Sequence, residues 1–275
     1  MFDQPHISSS LQRTKGRAMV ALALKGGTTR LVDLHQSGSA KAMLPKTHRA
    51  MPEVVFLNTA GGITGGDYLE YNVDVGPGAA VVATTQTAER AYQSIDGVGR
   101  VKTQLRVGAG GTLLWVPQEV ILFQQSALER ETTVEMAADA TVLVLESLVL
   151  GRAAMGETLH QIHLRDRRSV RRCGRLVMME QVRLDTSDLM RPGRAMLDGA
   201  RAVASMTLFA PDAADRLDAI RSKLGELVDV RIAASAWNGR ISLRAMAADA
   251  YPLRCAMAAM IENLTGQLLP RVWQI

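Results

Sequence analysis

The sequence predicts a mainly β protein: a stacked-sheet, β-helix-like body with a small C-terminal α+β portion containing about two helices. Three observations carry that expectation. Short alternating apolar segments, punctuated by Gly, Pro and Asp, run from about residue 19 to residue 200. A unit of roughly 30 residues recurs three times there in one register. After about residue 200 the apolar spacing changes, and helical periods enter. The expected division is a loose tail at 1–10, a β-rich body at 11–200, and an α+β portion at 201–275 packed on the body.

The repeat is legible residue by residue. The segment beginning Val73-Asp74-Val75-Gly76-Pro77-Gly78 and ending Val81-Val82 returns as Leu105-Arg106-Val107-Gly108-Ala109-Gly110, ending Leu113-Leu114. It returns again as Val134-Glu135-Met136-Ala137-Ala138-Asp139, ending Val142-Leu143. Each copy reads as an alternating strand, a tight turn and a more continuously apolar strand. Units of this size stack, each burying its face on the next.

In the C-terminal portion, residues 202–209 read as a strand. Pro211 and Asp212 open a helix with Leu217, Ile220, Leu224 and Leu227 on one face. Asn238-Gly239 between residues 230–236 and 241–247 signals a hairpin. Asp249 with Pro252 starts a second helix, whose stripe of Leu253, Met257, Met260 and Leu264 is either core or the contact for a helical partner.

Composition narrows the function classes. With 47% hydrophobic and 21% charged residues the chain has the apolar content to fold, which excludes extensive disorder. Fourteen methionines against 4% aromatics predict an adaptable aliphatic and thioether core. The net charge of +5 favours acidic partners. Cys173 and Cys255 lie far apart without metal-ligand spacing, which argues against a disulfide framework or structural zinc. The polar N-terminus lacks a signal-peptide stretch, and Glu146 interrupts the longest apolar run, 141–150. A cytoplasmic protein without membrane association is the expectation.

Recognised catalytic motifs are missing. Gly61-Gly62-Ile63-Thr64-Gly65-Gly66 lacks the lysine and hydroxyl of a phosphate loop, so Gly61, Gly62, Gly65 and Gly66 read as structural turn residues. His160 and His163 fall on opposite faces of an alternating segment and make no ligand pair. Six arginines at 165–175 suggest a basic hairpin tip. A nucleic-acid-binding module centred there is the rival functional reading, although no aromatic residue is interleaved for base stacking.

Two acids stand where acids are costly. Strand parity places Glu180 with Leu176, Met178, Val182 and Leu184, and Glu146 with Val142, Val144, Leu148 and Leu150. Each needs an arginine partner, a hydrated passage or a cation.

Several blocks, ordered along residues 44–273, carry a family resemblance. They are Asn58-Thr59-Ala60-Gly61-Gly62-Ile63-Thr64-Gly65-Gly66-Asp67, Thr84-Thr85-Gln86-Thr87-Ala88-Glu89-Arg90-Ala91-Tyr92 and Trp115-Val116-Pro117-Gln118-Glu119-Val120-Ile121-Leu122-Phe123. Gly151-Arg152-Ala153-Ala154-Met155-Gly156-Glu157 and the ending Pro270-Arg271-Val272-Trp273 complete the set. The chain resembles the urease accessory protein UreD (UreH) family; the arginine density after Arg165 is not part of that likeness. The resemblance implies a β-helical or stacked-sheet body and a non-catalytic role. It implies a scaffold joining apo-urease, the helical UreF and the GTPase UreG, with nickel delivered to urease through an internal passage. No tightly bound cofactor is expected, only a transient nickel ion. Asp67, Glu146 and Glu180 are the candidates for lining the passage, because scattered carboxylates hold nickel weakly enough to release it.

Overall fold

The computed structural model describes residues 12–191, 193 and 196–274. The tail expected at 1–10 lies outside them. In chain order the first strands are β1 (Lys15–Lys25), β2 (Thr28–Gly38), β3 (Ala40–Met43), β4 (Glu53–Asn58), β5 (Tyr68–Val75) and β6 (Ala80–Thr85). Then come β7 (Glu89–Ala91), β8 (Gly99–Val107), β9 (Thr112–Trp115), β10 (Val120–Leu122), β11 (Ala127–Met136) and β12 (Thr141–Leu150). β13 (His163–Arg172), β14 (Arg175–Asp185), the single turn α1 (Thr186–Leu189) and β15 (Ala202–Phe209) follow. The chain ends with α2 (Leu217–Leu224), β16 (Val230–Trp237), β17 (Arg240–Ala247) and α3 (Ala250–Thr265).

The strands form two sheets. One has the order β14-β13-β11-β8-β5-β1-β2, and the other runs β16-β17-β15-β12-β9-β6-β4-β3 with β7 and β10 beside it. The three repeat copies are successive coils: each places one strand in the first sheet, turns, and places the next in the second. Their register follows the sequence alignment. Val73 pairs with Leu105 and Leu105 with Val134 in the first sheet. Val81 pairs with Leu113 and Leu113 with Val142 in the second. Pairing is parallel because every coil advances in the same direction. The turns differ in detail. Gly78 and Gly110 take left-handed backbone, at φ 66° and 61°, whereas the third turn closes through Ala140 N–H to Ala137 O without such a residue.

Two cores result. One fills the space between the sheets, and the other lies between the second sheet and the C-terminal helices. β12 serves both: Val142, Val144, Leu148 and Leu150 face the first core, while Leu143, Leu145 and Val149 face the second. The C-terminal strands extend that same sheet by antiparallel pairing, β15 onto β12 and β17 onto β15. The hairpin turn uses Asn238 and Gly239, both at positive φ, as its loop type demands. The Asp249 carboxylate caps α3 by accepting from Tyr251 N–H.

The α3 stripe is core. Leu253, Met257, Met260 and Leu264 are buried against the second sheet, so they form no free surface for a helical partner. An amphipathic stripe marks a buried face, and here the chain's own sheet covers it.

The glycine loop is structural, for two different reasons. Gly61 and Gly66 have φ of 79° and 85°. Gly62 and Gly65 have no such requirement, but a Cβ at Gly65 would lie 2.1 Å from Asp96 O and Ser94 Oγ, and one at Gly62 2.1 Å from the Tyr92 ring. Among the described residues no helix is long and apolar enough to cross a membrane.

Candidate functional site

The basic segment at 165–175 is strand rather than loop. β13 runs to Arg172, and only Cys173 and Gly174, at φ 51° and 74°, make the turn. Alternation therefore divides the arginines between faces. Arg167 and Arg171 point outward, but Arg168 is buried between the sheets. Arg172 lies over the Phe209 ring and donates to Gly239 O. Arg168 is thereby withdrawn from any basic surface on this hairpin.

Arg168 belongs to a chain of charges that crosses the space between the sheets. On the first sheet, Arg130 of β11 is the register partner of Asp166 of β13, and Arg168 of β13 that of Glu180 of β14. On the second sheet, Glu146 of β12 pairs in register with Ser205 of β15, and Ser205 with Arg244 of β17. The two rows meet face to face. Arg130 donates from Nη1 to Glu146 Oε2 at 2.8 Å and from Nη2 to Asp166 Oδ2 at 2.6 Å. Arg168 is 3.8 Å from Asp166 and 3.3 Å from Glu180, which also contacts Arg244 at 2.6 Å. Ser205 Oγ donates to Glu180, while Trp115 Nε1 donates to Glu146 at 3.3 Å.

Three acids thus alternate with three arginines. Burial is deepest at Asp166, 1% exposed, and relaxes at Glu180, 12%, and Arg244, 74%. Burial pushes the Glu146 carboxyl above its usual range, with Arg130 opposing. For Arg130 burial works against the charge, but the Asp166 and Glu146 carboxylates outweigh it, and the pKa rises.

Two cavities flank this chain. The first, about 280 Å³, is lined by Phe56, Tyr71, Trp115, Arg130, Thr132 and Glu146, and also by Gln86, Thr87 and Glu89. Burial raises the pKa of Glu89. The second, about 320 Å³, is lined by Glu146, Asp166, Arg168, Glu180, Val203 and Arg244, among others. Glu146 faces both.

Of the acids singled out in the sequence, the fold brings Glu146 and Glu180 to this chain and leaves Asp67 apart. Asp67 accepts Thr14 N–H at 2.7 Å and Thr64 N–H at 2.9 Å, one on each oxygen, and lines neither cavity. It closes the glycine loop. Leu176 also departs from its expected face. The β13–β14 register shifts between Val170 and Arg171, and Leu176 is exposed. Sequence reasoning missed Arg130, Asp166 and Arg244. Parity held the signal for the first two: Arg130 alternates with Leu128, Thr132 and Val134, and Asp166 with Leu164 and Val170. His160 is exposed, while His163 Nδ1 lies 3.3 Å from Asp185 on the outer side of β13.

Comparison with known proteins decides the family. The model of the UreD urease accessory protein family matches residues 14–274. The chain belongs to the UreD family. A Jannaschia sp. urease accessory protein UreD is 56% identical over 264 residues, covering 96% of this chain and 97% of the relative. The UreD of Dinoroseobacter shibae is 52% identical, covering 98% and 95%, and that of Paracoccus denitrificans 47%, covering 96% and 94%. UreD is an accessory family rather than an enzyme family, so the role of this chain is accessory to urease.

Proposed function

We propose that this chain scaffolds a complex of apo-urease with UreF and the GTPase UreG, and that nickel reaches urease through the space between its two sheets. The observation that carries the reading is Glu146, one carboxylate facing two cavities, each with polar lining. A cation moving between them meets Glu146, Asp166 and Glu180 in turn. Oxygen donors spaced along a route bind a borderline ion such as nickel without trapping it. Glu89 in the lining of the first cavity supplies a further acid.

The test fills the passage without touching a charge. Val203 lines the second cavity, so Val203→Trp adds bulk there at an overpacking cost of about 1–3 kcal/mol. The variant is co-expressed with urease, UreF and UreG, and complex recovery and nickel per urease site are measured. Nickel should fall while the complex is still recovered. Full nickel occupancy would remove the passage from the mechanism.

A further inference from the structure

We infer that the Arg130 guanidinium is a resident substitute for a divalent cation, occupying a carboxylate site that would otherwise hold the metal. The two acids it bridges come from facing sheets, Glu146 at 2.8 Å and Asp166 at 2.6 Å. They converge on one cationic group, as ligands converge on one ion. Thr132 Oγ1, 3.4 Å from Glu146 Oε1, adds a neutral oxygen beside them.

A further observation points to a ligand rather than to a plain structural ion pair. Asp166 is 1% exposed, yet its Oδ1 accepts no hydrogen bond among the described residues, and the residue lines the second cavity. A buried carboxylate oxygen without a donor is costly, and a cation reaching it from the cavity would satisfy it. The charge count bears on whether such an ion would be retained. Glu146, Asp166 and Glu180 are balanced by Arg130, Arg168 and Arg244, so the intact chain carries no excess negative charge to retain a doubly charged ion. Removing Arg130 leaves an excess negative charge between two acids in a low-dielectric space, where attraction for a divalent ion is strongest.

Arg130 therefore keeps the space between the sheets from becoming a storage site. A cation can pass only by exchanging places with the guanidinium, which returns to the carboxylates when the ion leaves. This deepens the proposed passage and rests on it, but its test reads metal binding by the chain itself and not urease loading. The two can fail separately.

The experiment compares the purified full chain with Arg130→Met and with the double variant Arg130→Met/Glu146→Gln. Each is dialysed against nickel chloride and desalted. Bound nickel is then measured by mass spectrometry, and melting is followed with and without the ion. Arg130→Met should retain one more nickel per chain than the parent, and its melting temperature should rise with nickel. The double variant should lose both effects, since one ligand is gone while the guanidinium is still absent. A folded Arg130→Met that holds no more nickel than the parent overturns the inference, as does a double variant that holds as much as the single. If Arg130→Met is insoluble when made without the metal, nickel in the growth medium should restore soluble protein. Insolubility that nickel leaves unchanged also overturns it.

Discussion

Replacing Glu146 by Gln should destabilise the protein far more than replacing Glu180 by Gln, although sequence parity gives both acids an inward face. Glu146 is buried with Arg130, and Gln keeps its volume while deleting its charge. Breaking a buried pair costs about 3–5 kcal/mol, because the surviving charge loses its compensation. Arg130 keeps Asp166 at 2.6 Å, so the lower end applies. For a chain of this size about 3 kcal/mol lowers the melting temperature by roughly 6–12 °C. Glu180 is different because its closest cationic partner, Arg244, is 74% exposed and remains hydrated when the carboxylate goes, while its buried partner Arg168 keeps Asp166 at 3.8 Å. Solvent screening brings that loss to about 1 kcal/mol, or roughly 2–4 °C. The assay is thermal unfolding of the two purified variants beside the parent at neutral pH. Equal losses for the two variants, or a larger one for Glu180→Gln, would refute the burial gradient along the charge chain.

Other substitutions test separate parts of the structure. Gly65→Val and Gly66→Val should both impair folding, the first by collision with Asp96 O and the second by a β-branched residue at φ 85° costing about 1–3 kcal/mol. Soluble yield and melting temperature read this out, and a normally folded Gly65→Val would contradict the close approach. Trp273→Ala removes a buried ring whose Nε1 donates to Val116 O and Thr84 Oγ1 and over which Arg254 lies. The cost should be about 3–5 kcal/mol, with faster amide exchange in the last turn of the chain. Glu157, held by Arg152, has its pKa lowered from 4.5 to about 2. Its folded pKa lies below the unfolded one, so its contribution is present above pH 4.5 and lost as the pH falls toward 2. Glu157→Gln should flatten that part of the stability–pH curve, and an unchanged acid limb would show that the Arg152 contact is not maintained in solution.

Much of this architecture was legible because it is local. Alternation assigns a side chain to a face wherever the pairing is regular, and it put Glu146 on the face that the fold buries. The repeat fixed the stacking register, since copies of equal length align their strands when coils stack, and Val73, Leu105 and Val134 do so. The hairpin at Asn238-Gly239 and the cap at Asp249 are likewise set by neighbours in the chain. What parity could not see was the shift near Arg171, which turned Leu176 outward.

The identity of each partner was decided only by the tertiary structure. Asp67 looked like a member of the polar interior, but its acceptors are taken by Thr14 and Thr64 N–H groups. The α3 stripe fitted a partner surface as well as a core, because periodicity defines an apolar face and not what covers it. Glu146 needed compensation, and the sequence offered water, a cation or many arginines. The facing of two sheets chose Arg130, 16 positions away, and placed Asp166, 36 positions beyond Arg130, on its other side. Burial from alternation is a property of one strand. The neutralisation of a buried charge depends on which strands face one another, and that is settled only when the coils close on a common core.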